Sequence, residues 1–263
     1  MNESTSFTAG DGTRIGYRLD GDAAKPVLVL SNSIATTFHM WDGQVEAFTR
    51  HFRVLRYDFR GHGASSSPPG AYSLDRLGRD VIELLDSLAI ERAHFLGLSL
   101  GGFVGQWLGI RAPERIDRLI LSNTSSYLGP AAPFDERIAA VLAAADMSAT
   151  ADMFLGNWFP AAMVAAKSPV VEKFRAMLMD IDRPGLAGLF AAVRDSDLRR
   201  TIALISRPTL VIAGEHDTVT APSHGELIAA TVPGARLLTL PAVHLTNVEY
   251  PTDFAAAVLG FLR

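Results

Sequence analysis

The sequence predicts a layered α/β fold: a mostly parallel, eight-stranded sheet flanked by helices and interrupted by a helical insertion. Three observations carry this expectation. Short, continuous apolar runs recur along the chain, the pattern of strands buried on both faces of a parallel sheet. Segments with apolar residues three and four apart fall between them, the mark of helices packed on that sheet. From about residue 129 to 200 the strand-like runs stop, and the chain becomes rich in Ala, Met and Phe with helical spacing.

The elements follow in order. Ser6–Ala9 and Arg14–Leu19 alternate in polarity, and Gly10-Asp11-Gly12 between them supplies a hairpin turn. Val27–Leu30, Arg53–Tyr57, Ala93–Leu98 and Leu119–Ser122 read as buried strands. Between the second and third of these, residues 73–89 align Leu74, Leu77, Val81, Leu84, Leu85 and Leu88 along one helical face. The pattern breaks after Asn123, and strands resume at Thr209–Ala213 and Arg236–Leu240. A closing helix over Asp253–Leu262 lies behind Pro251, a residue suited to a first helical turn. The division expected is a core of residues 1–128 and 201–263, with a cap, or lid, over 129–200.

A chain of 263 residues, 48% hydrophobic and 20% charged, is long enough to bury a large core without staples. The net charge of −4, with Lys and Arg scattered, offers no basic field to nucleic acid. With no cysteine there is no thiolate nucleophile, disulfide or Cys-ligated metal, which fits a reducing compartment. No stretch is apolar enough to span a membrane, and the N-terminal segment lacks the apolar core of a secretory signal. A soluble, cytoplasmic protein is therefore expected. Without a P-loop, HExxH or strand-linked GxGxxG fingerprint, neither metal nor nucleotide cofactor is expected.

The chemistry points to Gly97-Leu98-Ser99-Leu100-Gly101, a G-x-S-x-G run after a strand and before a helix at Gly102–Arg111. A strand that turns sharply into a helix strains the turning residue. Side chains two positions either side would collide, hence the glycines. The turn lifts the Ser99 hydroxyl clear of the backbone, where the helix N-terminus points unsatisfied N–H groups. A serine needs a base to take its proton, and the base needs an acid to orient it. In this setting the chain order is Ser, acid, His. That removes His39, His51, His62 and His94, which precede Ser99. His244 lies just past the last strand, and Asp217 just past Thr209–Ala213, both at the sheet edge of Ser99. Glu215 and His216 are the alternatives. Negative charge on the attacked oxygen calls for two N–H donors. Leu100 is one; in the loop Ser31-Asn32-Ser33-Ile34, Ser33 is the first choice for the other and Ile34 the second, with Asn32 expected to take a left-handed backbone. Asp58, Arg60 and His62, in another strand-end loop, are expected to hold that loop in place.

With these residues in view, the chain resembles the α/β-hydrolase superfamily over nearly its whole length. The markers are Gly97–Gly101, "YDFRGHGASS", "PTLVIAGEHD" and His244. More narrowly it resembles the 3-oxoadipate enol-lactonase group, through "LSNSIATTFHMWDGQV", "HFRVLRYDFRGHGASS", "NWFPAAM" and "AVHLTNVEYP". The resemblance implies an α/β-hydrolase fold with a helical cap, Ser99, Asp217 and His244 as catalytic residues, and opening of a small lactone in aromatic catabolism. Asn157 stands before Trp158-Phe159, where a basic residue is common in that group. A general carboxylesterase or perhydrolase-like enzyme is the alternative, and a ligand-sensing protein on the same fold a third. Ile34, Trp158 and Phe159 are expected to touch substrate, with Met153 and Phe154 either lining the pocket or forming cap core. Arg137, Arg183 and Arg194 are candidates to face a substrate carboxylate.

Overall fold

The computed structural model describes residues 5–263. Eight strands form one sheet: β1 (Thr5–Thr8), β2 (Arg14–Asp20), β3 (Val27–Ser31), β4 (Arg53–Tyr57), β5 (Ala93–Leu98), β6 (Ile116–Ser122), β7 (Thr209–Gly214) and β8 (Arg236–Leu240). Their spatial order is β1-β2-β4-β3-β5-β6-β7-β8. The pairs β1–β2 and β2–β4 are antiparallel and the other five are parallel. The hairpin arises as its turn residues require, with Gly12 at φ 84°. The central strands are buried on both faces, which is why they read as unbroken apolar runs.

Helices α1 (Asp42–Thr49), α2 (Leu74–Ser87) and α3 (Leu100–Arg111) cover the sheet. Ser73 caps α2 by accepting from the Arg76 N–H, and Leu74, Leu77, Val81, Leu84 and Leu85 form its buried stripe. Every residue of α3 from Leu100 to Gly109 is buried, so this helix is enclosed rather than amphipathic. Its close seat depends on small residues: a Cβ at Gly102 would meet the Thr124 side chain at 2.5 Å, and one at Gly105 would meet Leu121 at 3.0 Å.

Between β6 and β7 lie five helices: α4 (Ala132–Ala143), α5 (Ser148–Trp158), α6 (Ala161–Ala165), α7 (Pro169–Met179) and α8 (Arg183–Arg194). Aromatic rings knit them together. Phe154 stacks on Phe190 at 6.0 Å and tilts against Trp158 at 4.9 Å, while Phe159 meets Phe174 edge-on at 5.4 Å. The segments entering and leaving this insertion are tied, Leu198 N–H donating to Ser126 O. The chain ends with α9 (Pro222–Thr231), α10 (Thr246–Glu249) and α11 (Pro251–Leu262). Pro251 opens α11, and this helix begins two residues before the expected Asp253. No helix among the described residues is long and apolar enough to cross a membrane.

Candidate active site

Strand β3 has β4 on one side and β5 on the other, so the chain reverses its direction of winding there. Such a switch point leaves a crevice beyond the carboxyl ends of the strands. The loop after β3 and the turn after β5 both open into it.

Ser99 occupies the turn between β5 and α3 with φ 56° and ψ −114°. Positive φ costs a non-glycine residue free energy, and the surroundings hold it there. The flanking glycines are required sterically. A Cβ at Gly97 would fall on the Gly101 carbonyl, 2.7 Å from Gly102 N, and one at Gly101 would fall on the carbonyl of Ser31. The Ser99 N–H donates to Ser122 O and the Thr124 hydroxyl donates to Ser99 O, so the strained residue is anchored by the end of β6 and the segment just after it.

Ser99 and His244 line one cavity of about 250 Å³, slightly below the roughly 300–1,000 Å³ usual for ligand pockets. No hydrogen bond joins the two in this structure. His244 Nδ1 lies 2.8 Å from Asp217 Oδ2, with both side chains buried. Asp217 Oδ1 accepts from the Val219 and Thr220 N–H groups, and Oδ2 accepts from the Thr220 hydroxyl. Burial raises the Asp217 pKa, but His244 and the Thr220 donors outweigh it and hold the carboxyl below its ordinary value. An ionised carboxylate only accepts, so His244 carries its proton on Nδ1 and leaves Nε2 as a base. Glu215 and His216, the alternatives in the same loop, are exposed.

The loop after β3 departs from expectation. Asn32 is not left-handed; the positive φ falls on Ala35, at 60°. Asn32 is pinned instead, its amide donating to Tyr57 O and accepting from Trp41 Nε1. The choice of Ser33 as oxyanion donor is corrected for a related reason. Its N–H points at Met40 Sδ, 3.2 Å away, and Ser33 does not line the cavity. Ile34 and Leu100 do line it, and neither N–H has an acceptor among the described residues.

The helical insertion supplies the rest of the wall: Phe134, Arg137, Met153, Phe154, Asn157, Trp158 and Phe190 among others. Phe159 is corrected: it is buried against Phe174 and stands away from the cavity, one residue beyond the end of α5. Of the three arginines, Arg194 pairs with Asp135 and Asp195, and Arg183 donates to Ala144 O. Arg137 reaches the cavity over the ring of Phe134, 5.0 Å from its centroid, and has no carboxylate partner among the described residues.

The loop of Asp58, Arg60 and His62 is braced against α2 and the segment after β3. Arg60 grips Asp80 through two 2.7 Å bonds, and Asp58 accepts from the Phe38 and Ala64 N–H groups. Among the described residues no group of three His, Asp or Glu side chains is placed to hold a metal ion. Sequence reasoning passed over Asn123, the residue after β6, whose amide touches Asp217. The signal available was a polar run, Ser122 to Ser126, directly after an apolar strand at the edge where Ser99 sits.

Comparison with known proteins agrees with this architecture. A model of the alpha/beta hydrolase fold matches residues 26–164. The chain is 38% identical to 3-oxoadipate enol-lactonase 2 of Acinetobacter baylyi, over 98% of this chain and 96% of that protein. It is 33% identical to 3-oxoadipate enol-lactonase 1 of the same organism, over 99% and 97%. The crystal structure of a hydrolase from Pseudomonas aeruginosa superposes with a TM-score of 0.98 at 68% identity, covering 99% of this chain and 98% of that one. The enol-lactonase from Burkholderia xenovorans superposes with a TM-score of 0.95 at 38% identity, covering 98% and 99%. A strained serine at a switch point, a buried His–Asp pair and this similarity over nearly the full length lead to one conclusion: the chain belongs to the α/β-hydrolase fold family.

Proposed function

We propose that this protein is a serine hydrolase that opens a small lactone of the 3-oxoadipate enol-lactone class through an acyl-enzyme on Ser99. One observation carries the mechanism: Ser99 and His244 share a cavity, with His244 backed by Asp217 and two unpaired N–H groups beside them. The relatives named as enol-lactonases support the substrate class.

In the first half-reaction Ser99 Oγ adds to the lactone carbonyl carbon while His244 Nε2 takes the hydroxyl proton. The developing oxyanion is held by the N–H groups of Ile34 and Leu100, donors typically worth about 10²–10³ in rate each. Asp217 holds the imidazolium. As the C–O bond breaks, His244 returns its proton to the ring oxygen, which leaves as an enol and tautomerises to a ketone. The leaving group stays tethered through the acyl chain. Water then adds to the ester carbonyl with His244 as base, and Ser99 departs with the proton.

Residues 129–200 act as a cap that shapes the acyl side of the site. Trp158 and Ile34 pack against the apolar part of the substrate, and Arg137 faces a carboxylate at its far end. Hydrolysis of small neutral esters is the second reading, favoured by a mostly apolar cavity wall and by a thermophilic esterase of Thermogutta terrifontis with a TM-score of 0.91 at 25% identity. Steady-state turnover of the enol-lactone beside short aryl esters decides between them. A kcat/KM for the lactone well above that for the esters is expected. An untouched lactone with fast ester turnover refutes the lactonase.

A further inference from the structure

We infer that Asn123 is a positioning residue for the acid and base, a role that rests on the serine-hydrolase reading of the site. Asn123 is 1% exposed and carries φ 43°, a left-handed conformation that Asn tolerates better than most side chains. Its amide has four partners, which tie the end of β6 to the Asp217 loop and to the loop carrying His244. Nδ2 donates to Asp217 Oδ2 and to Val243 O, each at 3.1 Å. Oδ1 accepts from the hydroxyls of Ser122 and Thr246, each at 2.8 Å. A carboxylate and a backbone carbonyl only accept, so the NH₂ side must face them, and the two hydroxyls lock the other side.

The oxygen that Asn123 reaches is the one that receives the His244 Nδ1 proton. Val243 is the residue before His244. One amide therefore ties the acid to the segment carrying the base, and adds a donor to the carboxylate oxygen that His244 uses. The packing around it is close: a Cβ at Gly214 would fall on Val243 O and meet Ala242 O at 2.6 Å and Asn123 Nδ2 at 2.9 Å. A passive filler would not require a donor aimed at that carboxylate oxygen.

The test compares N123G and N123D with wild type and D217N, on a short aryl ester, with thermal melting as the check on folding. N123G keeps the left-handed backbone and lets water replace the amide. N123D keeps the shape but turns an acceptor toward Asp217. Loss of a donor to a charged group predicts a fall of about 10–100-fold in kcat for N123G, with KM little changed. N123D should be slower still at the high-pH end of the profile, where both carboxyls are ionised and face each other. The low-field proton resonance of the Asp217–His244 bond should shift in N123G. A packing role predicts the reverse order, with the isosteric N123D nearer to wild type, and an unmoved resonance; that result overturns the inference. D217N separates the two levels. If D217N loses activity and the Asn123 variants do not, the positioning role alone falls. If D217N is also fully active, the catalytic reading falls with it. Should neither Asn123 variant fold, T246V and S122A free the amide to rotate. Each should lower kcat several-fold and move the same resonance, and wild-type behaviour in both would refute the role.

Discussion

Replacing Gly101 by Ala tests how tightly the oxyanion donors depend on the seat of α3. A methyl group there would lie 2.6 Å from the Ser31 carbonyl carbon and 2.9 Å from Asn32 O, where ordinary contact begins near 3.4 Å. Both neighbours are backbone, so neither can rotate away. Either the start of α3 or the loop after β3 must yield by roughly 1 Å, and the Gly101 N–H bond to Asn32 O, now 2.9 Å, stretches with it. Leu100 sits on the first element and Ile34 on the second, so any relief moves one donor relative to the other. Misplacement of about 1 Å costs on the order of 10²-fold in rate, and overpacking costs about 1–3 kcal/mol of stability. G101A should therefore stay folded, melt a few degrees lower, and turn over a short aryl ester about 100-fold more slowly. G260A is the control: its methyl meets nothing within 4 Å in helix α11, so it should gain stability with kcat unchanged. A folded G101A with wild-type kcat would refute the reasoning.

Other variants probe the cavity and the braced loop. R137Q should raise KM about 3–10-fold for p-nitrophenyl hydrogen adipate and leave KM for p-nitrophenyl hexanoate alone, because only the first carries an anion to face the cavity's free guanidinium; equal effects on both would remove Arg137 from recognition. F159L should cost about 1 kcal/mol in stability with KM unchanged, whereas W158L should change KM several-fold, as the placement of the two rings requires; a KM shift in F159L would contradict it. His62 and Asp58 oppose each other in pH dependence. Burial holds His62 down at about 4, so its contribution is present above about 6.5 and lost as pH falls through 4. Burial pushes Asp58 up to about 6, so its contribution is present below about 3.8 and lost as pH rises through 6. Between pH 4 and 6 the two slopes nearly cancel. H62Q should expose the Asp58 slope, losing roughly 2–3 kcal/mol relative to wild type as pH rises from 4 to 6 in urea titrations; parallel pH profiles would show that the pair is not opposed.

The strands and the core of the site were legible because each rests on a local rule. Val27–Leu30 and Ala93–Leu98 are apolar on both faces because helices cover both faces. Ser99 is marked by the glycines its turn requires, and Asp217 and His244 follow from strand ends and chain order. What the sequence left hidden depends on tertiary partners. Local preference favours Asn32 for the positive φ in the loop after β3, but its anchoring by Tyr57 and Trp41, with Ser33 held by Met40 and Thr36, goes with Ala35 taking it and Ile34 lining the cavity. Trp158 and Phe159 are equally apolar neighbours that both meet Phe174, and at the end of α5 only Trp158 lines the cavity as well. Helix α9 went unread because its buried stripe is thin, only Gly225 and Ile228. Asn123 looks like loop polarity until its four partners are seen.

The central claim is that Ser99 carries the acyl group, and covalent trapping tests it most directly. Wild-type protein treated with an aryl phosphonate ester should gain a single adduct, mapped by mass spectrometry to the peptide containing Ser99, as ester and lactone turnover disappear together. S99A should take no adduct and lose roughly 10⁴–10⁶ in kcat while melting like wild type. An adduct elsewhere, or an S99A variant within tenfold of wild-type activity, would contradict it.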